Sequence, residues 1–223
     1  MMNKALFAVG VGLWMTACSS ELQTVEINAC TDLALQDQVE LVITASDPVA
    51  LRLSEGVEFE GGSILKLSGA GQAFLGCSDL SSIQALGESK LYADRAPNLM
   101  SLKAYGRSEV AIDEVGTSML EVRASGQAKL AIGGLDADRL DLQGGGQSQI
   151  ALQGSVGEAS LNVAGSAAVD VSSLRAQDVC LSGSGTGDVA LWATAHLQIS
   201  PDVVREPSVV GNPDITDGRA GSQ

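Results

Sequence analysis

Gln72, Arg107, Gln127, Gln147, Ser166 and Thr186 each stand one residue after a glycine, and a weaker copy of the same phrase around Gly87 fills the one double-length gap. Amide and guanidinium groups repeating at a fixed spacing can hydrogen-bond to one another up a column, or offer a polymer one donor and one acceptor per repeat. Gln72, Arg107, Gln127 and Gln147 are therefore the candidate ligand-binding set. The other chemistry-bearing residues are acidic: Asp113, Glu114, Asp136, Asp138 and Asp178. Carboxylates cleave glycosidic bonds only as close pairs, with a cation or water held between them, and these five fall where a solvated loop rim is the ordinary expectation. His196 is the sole histidine, with no serine and aspartate arranged about it, so no catalytic residue is assigned. One histidine and four cysteines are too few for a closed metal cluster, and neither metal nor cofactor is expected. The glycine-rich GGGQSQ and GSGTGD lack the Lys-Ser/Thr ending of a phosphate loop and lead into strands, which makes them corner turns.

The elements that must position these residues are repeats. LKLSGAGQAFLGC, MSLKAYGRSEVAI, LEVRASGQAKLAI, LDLQGGGQSQIAL, LNVAGSAAVDV and VCLSGSGTGDVAL each set an apolar alternation on either side of a glycine: Gly71, Gly106, Gly126, Gly146, Gly165 and Gly185. Leu75, Val110, Leu130, Ile150, Val169 and Val189 form one column, with Cys77, Ile112, Ile132, Leu152, Val171 and Leu191 two residues on, on the same face of a strand. A third column reads Val115, Leu135, Val156 and Leu174, each five residues before Leu120, Leu140, Leu161 or Val179. Three inward-facing sides per repeat describe a coil: an all-β, right-handed parallel β-helix of about 20 residues per coil, with a circuit of roughly 65 Å and strands about 4.8 Å apart. Beside the polar column, Gly76, Ala111, Ala131, Ala151 and Ala190 make a small outward strip.

Residues 1–17 read as an export signal: Lys4, an apolar run from Leu6 to Met15, then small residues. Met15-Thr16-Ala17-Cys18 resembles a bacterial lipobox and implies lipidation of Cys18, with 18–23 as linker. Ser19 and Ser20, in place of an aspartate, point to the outer membrane of a diderm cell. Residues 24–60 are expected to be antiparallel strands capping the first coil, and residues 192–215, with Pro201, Pro207 and Pro213, a closing cap. These bound one domain over 24–215, followed by a disordered tail at 216–223. The net charge of −14 argues against nucleic acid, and 3% aromatic residues leave few stacking platforms. Export permits one disulfide among Cys30, Cys77 and Cys180; Cys77 takes an inward place and Cys180 an outward one.

The lipobox, the entry strands, the LxLxGxGxVxL repeats and the ending GSGTGDVALWATAHLQIS with VVGNPDI together resemble the GIN domain, the auto-transporter adhesin head family of bacterial envelope proteins. That resemblance implies a β-helix and a non-catalytic, adhesin-like or glycan-binding envelope lipoprotein. Its expected partners are a membrane through the anchor, and a polysaccharide or another envelope protein. The alternatives are a scaffold that self-associates through its coil ends or alanine strip, and a glycan-active enzyme using the loop carboxylates.

Overall fold

A computed structural model describes residues 22–27, 30–45 and 49–218, so the signal, Cys18 and the Asp47-Pro48 turn lie outside it. The first strands in chain order are β1 (Gln23–Val25), β2 (Asp32–Leu35), β3 (Gln38–Thr44), β4 (Ala50–Leu53), β5 (Val57–Glu60) and β6 (Leu65–Gly76). Then come β7 (Ser82–Ala85), β8 (Lys90–Arg95), β9 (Ser101–Gly106), β10 (Glu109–Gly126), β11 (Lys129–Gly144) and β12 (Gln149–Val163). The series closes with β13 (Ala168–Ser182), β14 (Val189–Ile199), β15 (Ser208–Val210) and β16 (Asp214–Asp217). All belong to one sheet, wound as a parallel β-solenoid of about 7 turns with roughly 20 residues per turn. The long strands bend around corners, which is why β10 runs for 18 residues while its apolar alternation restarts at each side.

The interior is aliphatic and dry. Val110, Leu130, Ile150 and Val169 are each 2% exposed or less, and the column two residues on is equally buried. Each fully enclosed Leu, Val or Ile contributes roughly 1.5–3 kcal/mol over an exposed one, so the inward alternation is the main source of stability. At one corner the inward position admits only small side chains: Ser89, Ser108, Ala128, Ser148 and Ala167 are all 0% exposed. The hydroxyls of Ser89, Ser108 and Ser148 find no hydrogen-bond partner there, a local cost.

The glycine two residues earlier makes the turn. Gly87, Gly106, Gly126, Gly146 and Gly165 all have φ between 65° and 82°, stacked one on another, and Asp37 at φ 62° continues the column below Gly87. Each turn hands the next amide to the carbonyl below: Arg107 N–H to Gly87 O, Gln127 to Gly106 and Gln147 to Gly126, all at 2.7 Å. In β6 the residue level with Asp37 is Gly69, at φ 99°, while Gly71 lies beside Val39 and is not a corner glycine.

The beginning of the rod is out of chain order. β3 pairs in parallel with β8 on one side and with the later β6 on the other, so residues 32–44 form a coil between 65–76 and 82–95. The entry region is therefore only partly an antiparallel cap: β1, β4 and β5 run antiparallel, whereas β2 and β3 are full members of the solenoid. A Cys30–Cys77 disulfide joins a cysteine two residues before β2 to the residue after β6, tying the displaced coil to its neighbour; Cys180 is free and exposed. The third apolar column also needs correction. Between Ile132 and Leu135 the register slips, because the coil from Gly146 to Gly165 is one residue short. Gly154, at φ 128°, then sits against Leu135, Val156 pairs with Ala137, and Leu161 pairs with Leu142 instead of Leu140. At the far end β15 and β16 pair in parallel with β14, so the chain closes by continuing the coil through Asp217, two residues beyond the expected end.

Two stability outcomes follow. In Gly126→Ala the new Cβ lies 2.7 Å from Gly106 O at φ +82°, whereas nothing lies within 4 Å of one at Gly116. Thermal or urea denaturation should show Gly126→Ala losing at least about 2 kcal/mol and Gly116→Ala changing by less than about 1 kcal/mol. Equal effects would remove the left-handed corner as a determinant. Cys30→Ser with Cys77→Ser should cost about 4 kcal/mol, the chain-entropy value for closing a loop of this length, while Cys180→Ser should be neutral in the same measurement.

Candidate ligand-binding face

Arg107, Gln127 and Gln147 stand on consecutive rungs at the glycine corner, pointing into solvent. Arg107 Nε donates to Gln127 Oε1 at 3.2 Å, and Gln127 Nε2 donates to Gln147 Oε1 at 3.4 Å. Below them Arg107 Nη1 meets Glu88 Oε1 at 3.0 Å, and Gln38 Nε2 reaches the other oxygen of Glu88 at 3.2 Å. The corner is a ladder from Gln38 through Glu88 and Arg107 to Gln147, and higher up the hydroxyls of Ser166 and Thr186 lie 3.4 Å apart. These bonds are solvent-exposed, so each stabilises the fold by well under about 1 kcal/mol.

Gln72 is not part of this ladder. The coil order places β6 beneath β3 in a register that sets Gln72 against Glu40, whose carboxylate accepts from its Nε2 at 3.3 Å. Two ladder members escaped the sequence reading. Glu88 follows Gly87 and could have been found by extending the alignment to that weaker copy. Gln38 carries no such signal, because Asp37 occupies the turn position that is glycine elsewhere.

Next to the ladder runs an outward column of Gln72, Glu40, Lys90, Glu109, Lys129 and Gln149 on successive strands. Two residues further on is the column expected to be alanine. Ala111, Ala131 and Ala151 do align, but Gly76 does not join them: it pairs with Thr44 and Ala50. The lower half of this column is Phe74, Val42 and Tyr92, with Phe74 38% exposed. Partial burial, then Glu109 and Glu40, raises the Tyr92 pKa and keeps the phenol neutral.

The carboxylates do not gather into one site. Glu114 pairs with Arg95 at 2.7 Å, Asp136 accepts from Ser155 Oγ at 3.4 Å, and Asp178 lies 2.5 Å from His196 Nδ1. Asp113 and Glu114 border a shallow hollow of about 320 Å³ with Ala45, Asp94 and Arg95, where Asp94 already accepts the Ala45 N–H at 3.0 Å. Among the described residues no group of histidine, cysteine and carboxylates is arranged to hold a metal ion.

This geometry has counterparts among solved structures. A protein from Parabacteroides merdae described as a "putative adhesin" aligns over 88% of this chain and 92% of its own at 13% identity, with a TM-score of 0.64. A "putative lipid binding protein" from Parabacteroides distasonis aligns over the same shares at 16% identity and a TM-score of 0.67. A second "putative adhesin" from Parabacteroides distasonis covers 89% of this chain and 98% of its own at 15% identity and a TM-score of 0.62. At these identities the likeness is one of fold. No curated protein matches the sequence. Residues 88–213, from the ladder's Glu88 to the turn before β16, match the family described as "Putative auto-transporter adhesin, head GIN domain". With more than half its length covered by that match, the chain belongs to the GIN-domain adhesin-head family.

Proposed function

We propose that this chain is a non-catalytic, lipid-anchored envelope protein that holds an extended polysaccharide along its glycine corner, in the manner of an adhesin. The observation that carries this reading is the exposed run of Arg107, Gln127 and Gln147 on consecutive rungs. The rungs are about 4.8 Å apart, close to the length of one sugar unit, so a glycan lying along the rod meets a polar group at each step. Arg107 keeps Nη2, and Gln147 its amide nitrogen, out of the ladder bonds, leaving donors for sugar hydroxyls. Single contacts of this kind are weak, and several together give roughly millimolar to micromolar binding.

The filled interior supports a ligand on the outside. One fold neighbour is described as lipid-binding, yet here Leu130, Leu142 and Ile150 occupy the lumen that an acyl chain would need. A non-catalytic role is favoured because three of the five candidate carboxylates, Glu114, Asp136 and Asp178, are engaged one by one with Arg95, Ser155 and His196 on separate rungs. Cys18 would anchor the rod to the outer membrane, with residues 18–23 as anchor and linker.

Gln127→Ala with Gln147→Ala should melt within about 1 kcal/mol of the wild type and lose at least tenfold affinity for a glycan that the wild type selects on an array. Unchanged affinity in a folded variant would refute the corner as the binding edge. Cys18→Ala should shift the protein from the membrane to the soluble fraction and leave its N-terminal peptide without lipid by mass spectrometry. A wild type that is already soluble and unmodified would eliminate the anchor.

A further inference from the structure

The two outward columns beside the ladder have a symmetry that neither needs for folding. Along the rod the first reads Gln72, Glu40, Lys90, then Glu109, Lys129, Gln149. A two-fold axis parallel to the strands, placed between β8 and β10, sends each row to its mirror position on a facing copy. Lys90 then meets Glu109, Glu40 meets Lys129 and Gln72 meets Gln149, each pair occurring twice. Every charge in the column faces its opposite.

The same axis sorts the second column by size. Its lower rows are Phe74, Val42 and Tyr92 and its upper rows Ala111, Ala131 and Ala151. The axis puts Tyr92 over Ala111, Val42 over Ala131 and Phe74 over Ala151, large against small throughout. One row further out, Arg52 of β4 aligns with Phe74 and Asp170 of β13 with Ala151, and these two also meet as opposite charges. The next outward column brings Asp94 opposite Asp113; both are exposed in the single chain, and this like-charged column marks the edge of the packed area.

We infer that this face is the contact between two copies of the chain, packed face to face with the rods antiparallel. A two-fold along the rods instead reverses the strands and sets each rung against itself, Lys129 on Lys129 with the axis over the first column or Tyr92 on Tyr92 with it over the second, so it never lays the bulky rows on the alanine rows and is disfavoured on volume. The intrachain bonding agrees. Elsewhere Lys66, Arg95, Arg107, Arg123, Arg139 and Arg205 each form an ion pair with a carboxylate of their own chain. Among the described residues no such pair involves Arg52, Lys90, Lys129, Glu109 or Asp170. Their charges remain available to a partner. Sheets packed face to face stand about 10 Å apart, a separation that an aromatic ring on one side and alanine on the other can fill. Eight rows of about 4.8 Å by a strand width of about 15 Å bury roughly 1,100–1,300 Å² over both copies, the lower end for a specific interface. The ladder corner stays at the rim, and the contact stands whether or not that corner binds a glycan.

Sedimentation velocity across concentration tests it, using the full chain with Cys18→Ser so that no lipid is attached. The wild-type face should give a reversible dimer with a dissociation constant of about 1–100 μM. Ala131→Arg, Glu40→Lys and Lys129→Glu should each weaken it at least tenfold while circular dichroism melts stay near the parent. Glu40→Lys combined with Lys129→Glu should recover most of the affinity, because the exchanged charges meet again only when the rods are antiparallel. A monomer at every concentration up to about 500 μM would overturn the inference. So would a dimer indifferent to Ala131→Arg and Lys129→Glu, or a double exchange no tighter than either single one.

Discussion

The structure depends on the amide passed from each corner to the carbonyl beneath it. Gln127 N–H to Gly106 O and its equivalents, all at 2.7 Å, lock the left-handed turns of successive coils into one column. That column sets where every side of every coil begins. Because side chains alternate with period two, a one-residue error at a corner would turn an apolar side outward, so the rod tolerates variation only where a bulge absorbs it. Gly154 is such a place: the coil loses one residue, the register shifts between Ile132 and Leu135, and the apolar side chains remain inside. The tight corner has its own cost, paid in the unpartnered hydroxyls of Ser89, Ser108 and Ser148.

Parallel stacking in register turns single residues into columns, and columns are what the surface offers. A lone exposed glutamine is unremarkable chemistry, whereas Gln127 and Gln147 on successive rungs form one edge with Arg107 and Glu88. The adjacent columns alternate in sign and change from bulky to small halfway along. Neither pattern contributes much to an exposed sheet face by itself, since ion pairs in water are weak. The chain belongs to the adhesin-head family, and a rigid rod with a filled interior can interact only through its sides and ends.

The N-terminal part departs from simple repetition. Residues 32–44 lie between coils formed later in the chain, and the Cys30–Cys77 bridge closes that arrangement. β6 lies in parallel beneath β3, and the antiparallel β4 and β5 pair with β6 and cover that first parallel edge, the solution a solenoid needs to avoid open-ended pairing. The opposite end has only the short β15 and β16, with Asp202 accepting the Gly183 N–H at 3.2 Å near the last turn.

The sequence by itself determined the solenoid, its period and its two main inward columns from Val110 and Ile112 to Val169 and Val171, because from Gly106 onward each repeat carries the same local instruction: alternation, a turn glycine, alternation. It also placed Arg107, Gln127 and Gln147 together, since equal spacing from equivalent glycines implies stacking. Only the tertiary structure decided which coil lies under which. Gln72 and Gly76 were misplaced because β6 pairs beneath the earlier β3, and no residue in LKLSGAGQAFLGC encodes that exchange. Asp37 hid the true first corner, since a left-handed aspartate lacks the glycine signature that marked the rest. Strand pairing is settled by contacts between segments far apart in the chain, and a periodic sequence specifies the rung without specifying the order of the rungs.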